Sequence, residues 1–472
     1  MSVDLQRIRD RVNQKRASFD RNQNRAVDAI LDEWNSEGND TFIFPVVDGP
    51  PGTGKTSVGI IAVAEHLLSY RDEQIIYLCY GHFATEVARN MLFDLGFNRN
   101  QICRITPNPR DTDWERGLIG YDYFSNLPDE TKRRLQNCGV LLCTLHGSRR
   151  AFDVRGCQAG ARVASRSIRI IVDEFSQVTP PLWLACLQRA KDAELQPISY
   201  ALLGDPYQLP VVTTQPFLLE NVGEFIFRRR PDYTPHQLTV QHRMHEDICE
   251  AVNSLRRAFN TYTLQSSERV RHRDLMGLGF EWHRSECPTQ AVTSTGILLP
   301  LREILDPSYP LVIVDTSELG RERRCFGGSL LNVDEAECAV RIATAFYESY
   351  TRNGRRLNPS EDFQILSPYT GQVGIIQESL PQELRSACTT IYRAQGREYP
   401  CVIISFVWNH PDGFIGFLRE PELQPHTYVG CSRAQGKLII LLSRDCFIGR
   451  GHRDFDFLFQ TRNAHIIRLG RA

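Results

Sequence analysis

The segment at residues 49–56 limits what this chain can fold into more than any other part of its sequence. It reads GPPGTGKT, follows the β-rich run TFIFPVVDG and opens the helix-like segment SVGIIAVAEHLL. A strand, a glycine-rich loop and a helix in this order form a P-loop, whose backbone amides surround phosphate oxygens while the helix N-terminus adds a positive dipole. The segment therefore predicts a site for the phosphates of a nucleotide.

The residues of this loop differ in their predicted roles. Lys55 would reach the β- and γ-phosphates, and it is one of only five lysines in the chain. Thr56 would hold a magnesium ion. The complete set of predicted phosphate-binding residues is Gly49, Pro50, Pro51, Gly52, Thr53, Gly54, Lys55 and Thr56.

Two acidic residues follow another apolar run, residues 168–172, which is typical of a buried strand. Asp173 would bind magnesium directly or through water, and Glu174 would act as the general base for the attacking water. An Asp-Glu pair at the end of a strand is usually a solvated turn, so these roles depend on the P-loop. A later strand ends in LLGDPYQLP, which makes Gln208 available to contact the γ-phosphate or the water.

Strand-like and helix-like segments alternate in two blocks, which predicts the α/β class with parallel sheets covered by helices. Short β-rich runs mark the first block (TFIFPVVDG, QIIYLCY, VLLCTL, IRIIVDE, SYALLGD) and the second (PLVIVD, DFQILS, CVIISFV, KLIILLS). The run of arginines and prolines in FRRRPDYTP breaks the pattern near Arg230. We therefore expect domains at residues 1–229 and 230–472, with an inserted arm at about 96–137 and an irregular insertion at about 260–307.

Composition narrows the classes of function. A chain of 472 residues is long enough for several domains, and its net charge of −1 means that any nucleic-acid site must be a local groove. The fourteen cysteines are scattered without a CxxC pair, which favours free thiols over a metal cluster. The apolar runs are shorter than the roughly 18 residues that a bilayer span needs, and the N-terminus has no signal-peptide core. We expect an intracellular protein, cytoplasmic or nuclear, without a membrane partner.

The order of motifs along residues 19–442 resembles that of superfamily 1B helicases, in particular the nonsense-mediated-decay (up-frameshift) type. NQNRA at 22–26 resembles the Q motif, and DEFSQ and GDPYQLP resemble motifs II and III. In the second block, QHRMH at 241–245 is similar to the Gln-Tyr-Arg-Met-His motif of the family. The order continues with SLLNVDEA at 329–336, SPY at 367–369, QGRE at 395–398 and SRA at 432–434.

The resemblance implies two tandem RecA-like domains of the P-loop NTPase class, which hydrolyse ATP with Mg²⁺ between them and move 5′ to 3′ along a single strand. It assigns Gln23 and His242 to adenine and Glu398 to the ribose. Arg243 and Arg433 become arginine fingers directed at the γ-phosphate. Fixed guanidinium groups at such a transition state contribute about 10³–10⁵ in rate.

The same resemblance places the nucleic acid on His82 and Thr144 in the first domain and on Arg393 and Trp408 in the second. Phosphate contacts dominate such sequence-independent binding, and aromatic side chains add base stacking. The alternative role for Trp408 is that of a half-buried residue of the protein core, as tryptophan commonly is. The bound strand can be RNA or DNA on this pattern, because discrimination between them by the 2′-hydroxyl depends on the geometry of the groove.

Some positions depart from the family pattern. His242 stands where the family has a stacking tyrosine, and Gln435 where motif VI has a second arginine. Gly81 and His82 replace the Ser-Asn pair of motif Ia, and residues 392–394 lack the Asp and the aromatic residue of motif V. The ATP-binding half therefore matches the family more closely than the nucleic-acid half.

Two classes of function fit these motifs. The first is a helicase or translocase that turns over ATP, which the intact Glu174, Gln208, Arg243 and Arg433 favour. The second is an ATP-gated clamp or ribonucleoprotein remodeller with little unwinding, which the altered motifs Ia and V favour. In either case a protein partner that steers or activates the chain within a larger complex is a further expectation.

Overall fold

A computed structural model describes residues 3–35, 44–70, 73–106, 118–119, 138–149, 151, 168–192, 198–211, 213, 215, 218–420 and 425–472. The chain divides into two compact units. The first unit contains Met1–Pro206 and Pro210–Thr239, and the second contains Tyr207–Leu209 and Val240–Ala472.

The first unit is built on one parallel sheet. Its strands are β1 (Val46–Asp48), β2 (Gln74–Cys79), β3 (Ile102–Ile105), β4 (Leu118–Ile119), β5 (Val140–Thr144), β6 (Ile168–Asp173), β7 (Ile198–Gly204) and β8 (His236–Gln237). Its helices are α1 (Val3–Ala17), α2 (Arg21–Asn35), α3 (Lys55–Ser69), α4 (His82–Asp94), α5 (Pro180–Asp192) and α6 (Val222–Arg229). Among the described residues, the strand order is β4-β3-β5-β2-β6-β7-β1-β8.

Helices cover both faces of this sheet. Every residue of β2, β5 and β6 is buried, which is typical of parallel strands with a helical layer on each side. Apolar residues of α1 to α4 form the core on one face, and those of α5 and α6 form the core on the other. The predicted α/β class with covered parallel sheets is confirmed.

The strand register brings the carboxyl ends of several strands into one row. Cys79 at the end of β2 pairs with Thr144 on one side and with Asp173 on the other, and Asp48 at the end of β1 pairs with Gly204. In open parallel sheets this is the edge at which ligands bind. The predicted nucleotide and nucleic-acid residues of the first unit therefore follow strands that end at the same edge.

A buried ring fixes the loop after β6. Phe175 is fully buried between two glycines, and a Cβ atom at Gly204 would lie 2.5 Å from one of its ring carbons. A Cβ atom at Gly223, in α6, would also collide with this ring. The loop that carries the two acids is thus packed against both β7 and α6.

The structure corrects the predicted domain junction near Arg230. The chain remains in the first unit until Thr239, because His236 and Gln237 form β8, which pairs in parallel with β1 at the edge of the sheet. The predicted arm at 96–137 begins with β3, a strand of the main sheet beside β5. Residues 107–117 and 120–137 of that arm lie outside the described residues.

The second unit has its own parallel sheet. Its strands are β9 (Val240–Gln241), β10 (Gln265–Ser266), β11 (Phe280–Trp282), β12 (Ala291–Val292), β13 (Ile297–Leu299), β14 (Leu311–Asp315), β15 (Arg323–Arg324), β16 (Leu330–Leu331), β17 (Tyr350–Arg352), β18 (Arg355–Arg356), β19 (Phe363–Ser367), β20 (Cys388–Thr390), β21 (Tyr399–Ser405), β22 (Ala434–Leu442), β23 (His465–Arg468) and β24 (Gly470–Arg471). Its helices are α7 (Glu246–Ala258), α8 (Leu301–Ile304), α9 (Val333–Ser349), α10 (Thr370–Ser379), α11 (His426–Cys431), α12 (Arg444–Phe447) and α13 (Arg453–Phe459).

The main sheet of this unit has the order β20-β19-β21-β22-β14-β23, and its strands pair in parallel. The stretch at 260–307, predicted to be irregular, supplies β10 to β13 and α8, all outside the main sheet. In the parts of the chain that the structure describes, no helix has the length and apolar character that a membrane crossing requires.

Candidate nucleotide and nucleic-acid sites

The P-loop joins β1 to α3 in the geometry that a phosphate site needs. Gly52 has a φ of 80° and Gly54 a φ of 78°, a left-handed conformation that glycine adopts without steric cost. The amide of Gly49 donates to the carbonyl of Gly204 at 2.7 Å, which ties the start of the loop to the end of β7. Helix α3 begins at Lys55 and has no side-chain cap, and the amides in the first turn of a helix have no partner within it, so they are available to an anion.

The two acids after β6 lie against the P-loop, as the sequence predicted. The Lys55 Nζ atom is 3.1 Å from Glu174 Oε1. The Thr56 hydroxyl donates to Asp173 Oδ2 at 2.9 Å. A hydroxyl and a carboxylate this close supply the oxygen ligands that Mg²⁺ prefers, so these two residues fit the predicted ion.

Tyr77 is a residue of this site that the sequence analysis missed. It is fully buried in β2, and its hydroxyl donates to Asp173 Oδ2 at 2.8 Å. Burial and the neighbouring Glu174 raise the pKa of Asp173 to about 6. The tyrosine in the middle of the strand-like run QIIYLCY was the available signal, because a buried hydroxyl needs a hydrogen-bond partner.

Glu174 has a strained backbone and a free acceptor. Its φ of 60° lies in the left-handed region, which a residue with a side chain adopts at a cost of about 1–3 kcal/mol and which is common at functional sites. Within the described residues, its buried Oε2 atom has no hydrogen-bond partner. A general base needs such an acceptor for the proton of a water molecule.

Gln23 braces the P-loop from α2. Its Nε2 donates to the carbonyl of Thr53 at 2.9 Å, and its Oε1 accepts from the amide of Asp20 at 3.0 Å. A Cβ atom on Gly54 would lie 2.7 Å from the Nε2 atom of Gln23, so the glycine is needed for this approach. The contact of Gln23 with adenine stays a prediction.

In the second unit, Glu398 is held between two side chains. The Arg243 Nε atom is 2.5 Å from Glu398 Oε2, and Gln435 Nε2 donates to Glu398 Oε1 at 3.0 Å. Burial would raise the pKa of Glu398, but the charges of Arg243 and Arg433 and these hydrogen bonds lower it below its usual value. Gln435, a departure from the family pattern, thus orients the residue predicted to bind the ribose.

Arg433 is buried and bonded within its own unit. Its guanidinium donates to the carbonyls of Val429 and Arg397, both at 3.0 Å, and to the Ser432 hydroxyl at 2.8 Å. Arg243 also donates to the carbonyl of Ser432, at 3.1 Å. Both predicted arginine fingers therefore hydrogen-bond to Ser432. Their action on a phosphate stays a prediction.

Gln208 and His242 belong to the second unit as well. Gln208 is buried, and its Oε1 atom lies 3.4 Å from Gln395 Nε2. The preceding residue, Tyr207, stacks on Phe259 with ring centroids 5.1 Å apart. His242 is half-buried. The structure therefore groups Gln208, predicted from the first block, with the motifs of the second.

The two predicted nucleic-acid residues of the first unit follow neighbouring strands. His82 begins α4 just after β2, and Thr144 ends β5, which pairs with β2. Burial and the charge of Arg104 lower the pKa of His82, which favours its neutral form. The Thr144 side chain accepts from the amide of Gly147 at 3.2 Å. The register brings these residues to one edge, while their contact with a strand stays a prediction.

The two predicted residues of the second unit differ in exposure. Arg393 is exposed in the turn after β20. Trp408 follows β21 and is only 4% exposed. Its ring contacts Phe414, and its Nε1 donates to the hydroxyl of Tyr369. Because a stacking platform needs an open ring face, the burial of Trp408 favours its alternative role in the core.

Two tandem α/β units, the first with a P-loop and paired acids at the carboxyl edge of its sheet, define a P-loop NTPase with RecA-like domains. A protein-family model described as "AAA domain" matches residues 223–445. "DNA replication ATP-dependent helicase/nuclease DNA2" of Mus musculus is 26% identical over 411 residues, which cover 84% of this chain and 35% of that protein. "Regulator of nonsense transcripts 1 homolog" of Arabidopsis thaliana is 24% identical over 442 residues, 84% of this chain and 31% of that protein.

These matches confirm the resemblance to superfamily 1B helicases. The chain spans about a third of the length of the curated relatives it matches. Among solved structures, "DEAD-box helicase Mss116 bound to ssRNA and UDP-BeF" matches with a TM-score of 0.46 and 10% identity, over 94% of this chain and 73% of that one.

Proposed function

We propose that this chain is a nucleic-acid-dependent ATPase that uses ATP and Mg²⁺ to move 5′ to 3′ along single-stranded RNA or DNA, as a superfamily 1B helicase or translocase. The observation that carries the proposal is the cluster of Lys55, Thr56, Asp173 and Glu174 around the P-loop. The names of the relatives, a DNA replication helicase/nuclease and a regulator of nonsense transcripts, support it and include both kinds of nucleic acid.

Hydrolysis would begin with an exchange of partners at Lys55. In the described structure its ammonium pairs with Glu174, and phosphate oxygens in the loop would compete for the same charge. Once Lys55 turns to the phosphates, the Glu174 carboxylate is free to accept a proton from the attacking water. A bound Mg²⁺, held by Thr56 and Asp173, would neutralise charge on the β- and γ-phosphate oxygens.

The second unit would supply the remaining charge stabilisation. Negative charge spreads over the transferred phosphoryl group, and fixed guanidinium groups are well suited to meet it. Arg243 and Arg433 are the arginines for this role, with Gln208 as the contact that reports the state of the γ-phosphate. His242 and Glu398 would then bind the adenine and the ribose.

The nucleic-acid strand would be held by phosphate contacts on both units. His82 and Thr144 lie at the carboxyl edge of the first sheet, and Arg393 follows a strand of the second. ATP binding can drive movement only if it changes the affinity of these surfaces for the strand. A protein partner that steers or activates this motor is part of the proposal.

The test is the steady-state ATPase rate without nucleic acid and with single-stranded DNA or RNA of one sequence. We expect at least one polymer to stimulate the rate, and Lys55→Ala to abolish it. Glu174→Gln should lower turnover by about 10²–10⁴, because it removes the general base but keeps the shape of the side chain. Lys191→Ala, an exposed lysine on α5, is the matched control and should be neutral. A rate indifferent to both polymers would refute the proposal.

The second candidate is an ATP-gated clamp or remodeller with little unwinding, which the altered motifs at residues 81–82 and 392–394 favour. Duplexes with a 5′ or a 3′ single-stranded tail separate the two functions. A helicase of the proposed polarity unwinds the duplex with the 5′ tail. A clamp binds both substrates in the presence of ATP but unwinds neither, and its turnover is low.

A further inference from the structure

A β-hairpin at residues 323–331 projects from the second unit, and we call it the Phe326 hairpin. Its strands, β15 and β16, pair in antiparallel register. The tip is closed by a hydrogen bond from the Cys325 amide to the Ser329 carbonyl at 2.9 Å, and Gly327 and Gly328 adopt φ values of 99° and 83°. These two left-handed residues turn the chain tightly, which leaves Phe326 at the end of the hairpin.

Phe326 is the most exposed large apolar side chain among the described residues, with a relative exposure of 110%. A ring that is wholly in water adds nothing to core packing. A single exposed apolar residue is common on protein surfaces, so its exposure alone assigns no role. The base of the hairpin and the surfaces beside it provide the further evidence.

The base of the hairpin is fixed to the fold. The Ser329 hydroxyl accepts from the Thr370 hydroxyl at 3.1 Å and from the Gly371 amide at 3.0 Å, at the start of α10. The next residues are equally constrained, because the Asn332 amide donates to Gln372 Oε1 at 2.8 Å. The ring is therefore presented in a defined place near the carboxyl end of β19.

Two clefts share residues with this part of the chain. One has a volume of about 450 Å³, and its walls include Arg324 and the aromatic rings of Tyr369, Phe414 and Phe417. The other has a volume of about 940 Å³ and is lined by Arg321, His410, Arg444 and Arg450 among other residues. Residues of the hairpin itself line the aromatic cleft, whereas the second cleft, which Asp445 also lines, is reached by Arg321, two residues before the hairpin.

The arginines of this surface are not engaged in salt bridges, and Glu322 is the one acid within the segment 321–324. Arg321, Arg323, Arg324 and Arg444 are exposed, and within the described chain none of them forms a salt bridge. Some exposed arginines of the same unit do pair, as Arg257 does with Glu250 at 2.6 Å, whereas others, such as Arg385, form no salt bridge within the described residues. Three arginines and one glutamate within residues 321–324 leave a local excess of positive charge, which attracts an anion in a chain of nearly zero net charge.

We propose that the Phe326 hairpin binds single-stranded nucleic acid, with Phe326 stacked on a base and Arg321, Arg323 and Arg324 on the flanking phosphates. Aromatic rings interleaved with basic side chains are how proteins hold single strands without sequence preference. This inference deepens the proposed function, on which it rests, by naming a base-contacting residue. A protein anchored on the ring is the competing occupant, and the unpaired arginines favour the polyanion.

The experiment compares the affinity of the full chain for a labelled single strand, measured by fluorescence anisotropy, with that of Phe326→Ala and Phe326→Trp. Loss of one stacked base should weaken binding about 5- to 100-fold. Phe326→Trp should bind like the original chain, and the strand should quench the added tryptophan fluorescence. Ile466→Ala, an exposed apolar residue on β23, is the control and should bind normally.

The outcomes separate this inference from the proposed function. If the original chain binds neither RNA nor DNA strands, both are refuted. If it binds a strand and Phe326→Ala binds equally well, the hairpin proposal alone is refuted and the ring is left for a protein contact. An unquenched tryptophan at saturating strand would also overturn base stacking. Equal losses in Phe326→Ala and Ile466→Ala would show a general effect on the surface and would refute the specific contact.

Discussion

At the residue scale, the candidate nucleotide site depends on how Asp173 is oriented. Its Oδ2 atom accepts from Thr56 and Tyr77, and its Oδ1 atom accepts from the amide of Glu174 at 2.9 Å. The tyrosine contacts neither the P-loop lysine nor a phosphate in our proposal. It hydrogen-bonds to Asp173, the predicted metal ligand, and orients its carboxylate. Residues that bond to metal ligands without touching the metal commonly have this effect.

Removing the Tyr77 hydroxyl should therefore weaken the use of Mg²⁺. We expect Tyr77→Phe to raise the Mg²⁺ concentration needed for half-maximal ATPase activity by about 10–100-fold, the usual effect of losing an outer hydrogen bond to a ligand. Tyr200→Phe, a buried tyrosine on the neighbouring part of the sheet, is the matched control. Identical Mg²⁺ titrations for Tyr77→Phe and the original chain would contradict this role.

A second residue with an unusual environment is Glu335, which is fully buried in α9. Its carboxylate accepts from the Ser405 hydroxyl at 2.6 Å, the Val407 amide at 2.8 Å and the Thr316 hydroxyl at 3.2 Å. Burial outweighs these bonds and raises the pKa of Glu335 to about 7. Val407 has a φ of 76°, a strained conformation for a β-branched residue, and the bond to Glu335 helps to hold it.

The raised pKa predicts a pH-dependent stability. A carboxyl whose folded pKa lies above its unfolded value stabilises the fold most when protonated, and this contribution is lost as pH rises through about 7. Glu335→Gln cannot ionise, so its Tm relative to the original chain should rise between about pH 5 and pH 8. Glu337→Gln is the control, because the pKa of Glu337 is lowered and its charge is constant over that range. A flat difference for Glu335→Gln would refute the prediction.

At the scale of elements, α6 shows how a local signal was misread. The arginines and prolines around Arg230 suggested a linker, but the arginines end a helix that starts with a capping box. The Asn221 side chain accepts from the Glu224 amide, and the Glu224 carboxylate accepts from the Asn221 amide, both at 3.0 Å. The short strand β8 that follows has no strand pattern of its own, and it forms because the edge of β1 is open to pairing.

The capping box gives a direct test of this element. Asn221→Ala should lower the free energy of unfolding by about 1 kcal/mol, because the amide of Glu224 loses its acceptor. Asn221→Ser keeps an acceptor at the same position and should retain most of the stability. Chemical denaturation followed by circular dichroism measures both. Equal destabilisation by alanine and serine would show that the cap is not the cause.

The candidate site was predictable where the chemistry depends on local order. Lys55, Thr56, Asp173 and Glu174 were named from motifs, and the strand register brings them together. Tyr77 was missed because its role depends on which strand lies beside β6. The burial of Trp408 and the exposure of Phe326 could not be predicted either, because the exposure of a side chain depends on tertiary packing. The α/β class followed from apolar runs, whereas the place of Gln208 in the second unit did not.

At the scale of the whole molecule, a net charge of −1 provides no general attraction for a polyanion. Binding of a strand then depends on local arginines. The dependence of the affinity on salt concentration measures how many phosphates these arginines contact. Each phosphate contact on a single strand contributes about 0.7 to the slope of log affinity against log salt. The double variant Arg323→Ala, Arg324→Ala should therefore reduce that slope by about 1.4. Arg385→Ala, exposed elsewhere in the unit, should leave it unchanged.

The ring of Phe175 has a consequence for how this chain can change over time. It follows the two acids directly and fills the space that side chains at Gly204 and Gly223 would occupy. A lineage that gains a side chain at either glycine must also accept a smaller residue at Phe175, or the acids are displaced. The residues at 175, 204 and 223 should therefore covary among relatives, although they are separated in the chain. Changes in helix α6, which contains Gly223, should accordingly accompany changes in the loop that carries the acids.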